Sequence, residues 1–304
     1  MKKKDALNKK HHLEYFRERG KEALIDLQRE IGRRQHKELA TAINNASQES
    51  ARNVLSSLLS TAASEKWTPE EKVSAILAAN YASYVAMLEL RDEVWAYEYM
   101  AFSRRIGELW ESFVRAVFDH APSGLTYFVP PLFADVRKGL KKEITEYIAQ
   151  LPISNEQRAE LLEYYEKVWS LVDSGEINLE LDLHFELNGQ RTNVDLKSGF
   201  GSNEKGNTNR LLMVATIYKN LEAGYKNVLL VRAPEDQNNH YFRTLRDSGV
   251  WEAYCGTDAY AQIRTFTGFD VNAWIKANID WHNDFAADTL AHFRDNNLLS
   301  YLEW

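Results

Sequence analysis

One cysteine in 304 residues, Cys255, leaves an internal disulfide without a partner and provides no thiolate set for a metal. A chain so poor in cysteine is expected in a reducing cytoplasm. Proline is sparse too, and none falls between Lys9 and Ser64, so nothing there forces a helix to break. No apolar run approaches the roughly eighteen residues of a membrane span, and no membrane segment is expected. The basic opening MKKKDALNKKHH has no apolar stretch behind it, which predicts neither signal peptide nor anchor. Positive charge is in deficit overall, with a formal net charge of -7. That argues against wholesale electrostatic wrapping of nucleic acid, though not against a local basic surface. The first forty residues are richer in Lys and Arg than the remainder. Such a segment either meets a phosphate backbone or forms a solvated charged helix.

What the chain does have is large apolar side chains: eight Trp, fifteen Tyr and thirteen Phe, enough for a sizeable packed core. Leu13, Phe16, Leu24, Leu27 and Ile31 recur at helical spacing, predicting two or more amphipathic helices between Lys9 and Ser64. Thr68-Pro69-Glu70-Glu71 reads as a capping box. Helix is expected from there to about Phe118, with a break near Arg104–Gly107. A loop, a short strand and a loop follow over Ala121–Pro131. Two helices are expected near 134–150 and 155–172, the second capped by Ser154 and Gln157. After a hairpin and a Gly/Asn loop come a helix over about 209–222, the buried strand NVLLVRA and a further strand near 262–267. The expected class is α-rich α/β: a helical region over 1–100, then a mixed sheet flanked by helices over 101–304. That second part carries a helical insertion at about 132–172 and a helical tail. The crossover from the hairpin to the next strand is expected to be right-handed.

The hairpin, LELDLHFELNGQRTNVDLK, carries the chemistry. Asn188-Gly189 suits a two-residue turn with positive φ at both positions. Counting outward pairs Leu187 with Gln190, Glu186 with Arg191, Phe185 with Thr192, His184 with Asn193 and Leu183 with Val194. The same count sets Asp182 against Asp195, Leu181 against Leu196 and Glu180 against Lys197. Leu181, Leu183, Phe185, Leu187, Val194 and Leu196 then share a core face. The acids, His184 and Asn193 fall on a polar face, expected to be wet, with ion pairs Glu186–Arg191 and Glu180–Lys197. Two carboxylates roughly 5 Å apart repel by about 3 kcal/mol at an effective dielectric near 20. A divalent cation between them reverses that sign. Mg²⁺ commonly takes one or two carboxylates plus water and phosphate oxygens.

These residues resemble the PD-(D/E)XK nuclease superfamily, which pairs an Asp on one strand with an (Asp/Glu)-x-Lys on the next, beside a helix carrying a Glu. Asp182 matches the first acid, with Leu181 in place of the proline, and Asp195-Leu196-Lys197 matches the second element. The helix RRIGELWESFVRAVF supplies Glu111, with Glu108 as substitute and an i,i+4 pair with Arg115 as the plain structural role. The segment after Lys197 is similar to the loop and helix of type II restriction endonucleases. The resemblance covers roughly residues 104–235. It implies a restriction-endonuclease-like core and Mg²⁺-dependent hydrolysis of double-stranded DNA by a homodimer. Asp182, Asp195 and the Leu196 carbonyl would hold the metal, with Lys197 positioning the attacking water. DNA contacts are expected from Ser198, Asn203, Lys205, Asn207, Asn209 and Arg210. A repair or recombination nuclease, and a non-catalytic DNA-binding helical module, are the alternatives. His184 is expected to be solvated, His240 to pack near a helix start, and the Trp and Tyr residues near 251–281 to be core.

Overall fold

The computed structural model describes residues 2–172, 177–201, 204–221 and 224–304. Its fold is α-rich α/β. A short helix, Lys3–Ala6 (α1), leads into three long ones: Lys9–Glu30 (α2), His36–Ser64 (α3) and Pro69–Val94 (α4). The expected capping box starts α4, with Thr68 accepting from the Glu71 N–H and Glu71 from the Thr68 N–H. Helix α4 departs from expectation in another way. It is long and apolar enough to cross a membrane by composition and length, because Val73–Leu90 holds one charged residue. It lies instead in the protein interior, enclosed by α2, α3 and the chain's last helices.

The next helix, Tyr99–Asp119 (α5), is continuous. The expected break near Arg104–Gly107 lies at residues 95–98, where the Asp92 carboxylate accepts the Tyr97 N–H at 2.8 Å and turns the chain. Strand Thr126–Tyr127 (β1) and helices Phe133–Gln150 (α6) and Asn155–Val172 (α7) follow, as read from sequence. The Ser154–Gln157 box is formed. Strands Leu183–Leu187 (β2) and Gln190–Lys197 (β3) make the hairpin, with Asn188 and Gly189 at φ 52° and 80°. Helix Lys205–Lys219 (α8) begins earlier than expected and leads to strand Lys226–Val231 (β4). Helix His240–Arg246 (α9) then leads to strand Glu252–Cys255 (β5). The strand expected near 262–267 is part of a helix, Gly256–Thr267 (α10), which buries Ile263 and Phe266 on one face. Helices Val271–Asn278 (α11), Trp281–Asp284 (α12) and Ala287–Asp295 (α13) complete the chain's regular elements, with 3₁₀ turns at Glu235–Gln237 and Leu299–Leu302.

The five strands stand in the order β1-β2-β3-β4-β5. The first three are antiparallel; β3, β4 and β5 run parallel, joined by α8 and α9. One face packs on α5 and α10: Phe118 and Phe266 lie 5.6 and 5.2 Å from Phe185, ring to ring. The other face packs on α8 and α9 through Leu211, Val214, Phe242 and Leu245. With helices on both sides, the polar face of the hairpin is not wet. Asn193 is fully buried and His184 nearly so.

Their polar atoms are satisfied by a chain of hydrogen bonds across three strands. His184 Nε2 accepts the Leu181 N–H, leaving Nδ1–H to donate to Asn193 Oδ1, each at 2.9 Å. Asn193 Nδ2 donates to Asn227 Oδ1 at 2.9 Å, and Asn227 Nδ2 reaches the Ala215 and Val250 carbonyls. Burial lowers the pKa of His184, so the imidazole stays neutral and holds this tautomer. The N-terminal helices are tied to the tail. Lys9 Nζ and the Tyr81 hydroxyl both donate to Asp284 Oδ2, at 2.6 and 2.8 Å. Arg17 grips Glu89 through two hydrogen bonds of 2.8 and 2.6 Å.

Replacing Asn193 with Leu leaves the His184 Nδ1–H and the Asn227 Oδ1 buried without partners. Urea denaturation is expected to show a loss of about 1–3 kcal/mol for each orphaned group.

Candidate active site

The hairpin ladder matches the expected register over five rungs, from Leu187↔Gln190 to Leu183↔Val194, and stops there. Asp182 does not face Asp195 as a strand residue. Its Oδ2 instead accepts the Leu196 N–H at 2.7 Å, the bond a continuing β2 would have made through its backbone. The Asp182 carbonyl accepts from the Arg115 guanidinium on α5. Beyond this bend Leu181 leaves the expected face and packs with α8 and α9. The Glu180–Lys197 pair is also replaced: Lys197 Nζ lies 3.1 Å from Asp195 Oδ2, while Glu186–Arg191 forms as expected at 3.3 Å.

Asp195 is 1% exposed. Burial pushes its pKa up and so does Asp182; Lys197 and Arg210 oppose them. Arg210 Nη2 stands 3.7 Å from Oδ1. The ammonium of Lys197 is ion-paired with Oδ2 at 3.1 Å. The two-carboxylate repulsion expected from sequence is eased by the Leu196 N–H and two cations. Burial lowers the pKa of Lys197, but Asp195, Asp182 and Glu111 outweigh it and hold the ammonium charged.

Glu111 lies on α5, half-buried, and makes no ion pair or hydrogen bond among the described residues. The i,i+4 pair with Arg115 is not formed, because that guanidinium is spent on Asp182. Glu108 has Arg104 and Arg105 as partners at 2.9 and 2.7 Å. Of the two glutamates, Glu111 is the one coupled to the hairpin. Burial first, then Asp182 and Asp195, push its pKa up to about 7, with Lys197 opposing. Glu111 and Lys197 line one cleft of about 860 Å³. Gly107, one turn before Glu111, brings α5 against the end of β3: a Cβ there would stand 3.2 Å from the Ser198 Cβ.

The expected DNA-contacting residues separate. Ser198 lines the cleft, its Oγ accepting from Arg232 Nε at 3.1 Å. Asn207 lines it too, with Nδ2 donating to Glu204 Oε2. Lys205 and Asn209 are exposed on the first turns of α8, not on a loop. Arg210 turns inward to Asp195 and donates weakly to the Glu180 carbonyl at 3.5 Å. Asn203 lies outside the described residues. His240 is exposed, its ring 4.0 Å from that of Tyr241. Trp251, Tyr260, Trp274 and Trp281 are core, as expected.

Two residues escaped the sequence reading: Arg232, which lines the cleft, and Asn238, which holds one of its loops. Arg232 donates to Ser198 and to the Tyr301 and Glu303 carbonyls, drawing the C-terminal turn onto the cleft. Asn238 accepts the Phe200 N–H and donates to the Ala233 and Pro234 carbonyls, fixing the loop after β3. The position of Arg232 directly after NVLLV, at the carboxyl end of a parallel strand, was the signal available for it.

The groups that could donate to a divalent cation are Asp195, ion-paired with Lys197, and Asp182, with Glu111 coupled to both. Among the described residues no three or more His, Cys, Asp or Glu gather closely enough to hold a metal alone. The donor set suits an ion that keeps most of its shell as water or phosphate oxygen, as Mg²⁺ does.

Because the folded state raises the Glu111 pKa from 4.5 to about 7, it binds an extra proton between those values, and stability falls as pH rises through that window. Glu111→Gln is expected to be about 1–2 kcal/mol more stable than the parent at pH 8, allowing for solvent screening. The two should be equally stable at pH 4 in urea titrations.

No family model, curated protein or solved structure matches the chain.

Proposed function

We propose that the chain is a Mg²⁺-dependent endonuclease that hydrolyses phosphodiester bonds in double-stranded DNA, of the type II restriction class and with a restriction-endonuclease-like core. One observation carries this reading. Asp182, Asp195 and Lys197 gather at the end of β3 beside Glu111 and an open cleft, around the buried Asp195 carboxylate. The arrangement supports the family resemblance, in which an Asp, an Asp-x-Lys and a helical Glu act together.

When bound, Mg²⁺ supplies charge neutralisation at the phosphate and a more acidic water. The chain's own groups do the rest. Asp195 and Asp182 would hold the ion, Asp182 pre-set by its bond to the Leu196 N–H. Lys197, 3.1 Å from Asp195, carries the ammonium that would hold the attacking water or the developing phosphate charge. Glu111, titrating near neutrality, can take or return a proton at working pH. The glycines at 199 and 201 and the α8 start offer the backbone approach that a DNA strand in the cleft requires. Two copies of the chain would meet a palindromic duplex with matching symmetry.

With plasmid DNA and Mg²⁺, Asp195→Ala is expected to cleave about 10²–10³-fold more slowly than the parent, the usual loss when one charge-stabilising group is removed. Equal rates would end the proposal. Discrete fragments from long duplex DNA support restriction; a smear supports a repair or recombination nuclease. Light scattering checks the dimer.

A further inference from the structure

A second polar pocket, of about 380 Å³, opens between α3, α4 and α5 on the helical side of the molecule. Four cations line it, Lys37, Arg91, Arg104 and Arg105, against the single carboxylate of Glu108. Glu108 is already bonded to Arg104 and Arg105, so it does nothing for Arg91.

Arg91 is the unusual member. It is 8% exposed, and among the described residues its guanidinium has no ion pair and no hydrogen-bond acceptor; Nη1 is fully buried without a partner. The nearest acid in sequence, Asp92, is turned to the Tyr97 N–H. What Arg91 does touch are the faces of Tyr97 and Trp95, 4.4 and 5.1 Å from the ring centroids. Aromatic faces offset part of a guanidinium's desolvation but satisfy none of its N–H groups. Asp92 attracts Arg91 without bonding it, and a buried guanidinium with unbonded N–H groups is poorly tolerated in a protein interior.

Two further buried polar groups of the same pocket are under-satisfied: Asn44 Oδ1 has no partner, and the Tyr97 hydroxyl has only the Arg105 guanidinium beside it. Burial raises the Tyr97 phenol to about 12, so its O–H remains a donor at neutral pH. Half a turn of the Asn44 amide presents its Nδ2 donors instead. Guanidinium, phenol and amide are the donors that a tetrahedral oxyanion takes up. The pocket also adjoins the candidate active site, Arg104 and Glu108 lining both.

We infer that this pocket binds a phosphate group, with Arg91 as its central donor and Arg105 and Tyr97 beside it. The bearer that best fits its place beside the cleft is the nucleic-acid backbone a few nucleotides from the cleaved bond. That bearer rests on the function proposed above; the phosphate site itself does not.

The test has two arms, neither of which measures cleavage. Inorganic phosphate is expected to raise the melting temperature of the parent above that in chloride of equal ionic strength, and to leave Arg91→Met unmoved. Arg91→Met should fold, because it replaces an unpaired buried charge by an apolar chain of similar length; Arg105→Gln, at a more exposed position, repeats the test without touching the interior. In the second arm, a fluorescent duplex is titrated without divalent ion. Arg91→Met is expected to bind it about tenfold more weakly, the effect of one lost charge-assisted hydrogen bond, with a salt slope smaller by about one.

A phosphate shift lost in the variant with unchanged duplex affinity keeps the site and gives it a free phosphate or a small phosphorylated molecule. No phosphate shift in the parent, together with equal duplex binding by parent and variant, overturns the inference. Should plasmid remain uncut while both arms respond, the nuclease reading falls and the phosphate site stands.

Discussion

The organisation of the site follows from one constraint: a carboxylate, Asp195, on the central strand of a sheet covered on both faces. A charge so removed from water must be answered locally. Lys197 and Arg210 answer it from its own strand and from α8, and Asp182 is kept in place by a backbone N–H rather than by the ladder. Each compensation fixes a side chain that the proposed chemistry needs. Helix α5 is drawn in from the opposite side through Gly107 and Arg115, which leaves Glu111 beside three charged neighbours and with none of its own. The same logic governs the His184–Asn193–Asn227 chain two residues away on the same face. There neutral groups satisfy one another completely, and the strand can be buried without any ion.

Much of this was legible in the sequence where a local rule decides the outcome. Asn188-Gly189 fixed the turn, and the turn fixed five rungs of register. Thr68 and Ser154 marked helix starts through their own side chains. What could not be read were outcomes settled by side chains folding back on the backbone or by distant elements. The carboxylate of Asp182 ends β2 by taking the place of a carbonyl. The carboxylate of Asp92 ends α4 in a stretch with neither proline nor glycine. Glu252–Cys255 has little strand character of its own and is a strand because β4 offers it an edge. The run near 262–267 alternates enough to suggest a strand, yet Ile263 and Phe266 sit three apart, which suits the face α10 buries.

The polar face of the hairpin is the instructive case. Alternation correctly separated its residues into two sets, but period alone does not say whether water or another layer covers a set. Coverage by α8 and α9 is a matter of topology, and it converts an expected solvated His184 into a neutral, tautomer-fixed one. The same is true of α4. Its apolar stretch is as suited to lipid as to protein, and only the helices packed around it decide.

The ties from Lys9 and Tyr81 to Asp284 join positions separated by most of the chain. Contacts of such sequence separation form late, since the loop they close carries a large entropic penalty until the rest is in place. A ribosome-bound chain would therefore hold α4, its most apolar helix, only partly enclosed until the tail has emerged. The face of α4 that the tail covers stays open to other chains until then.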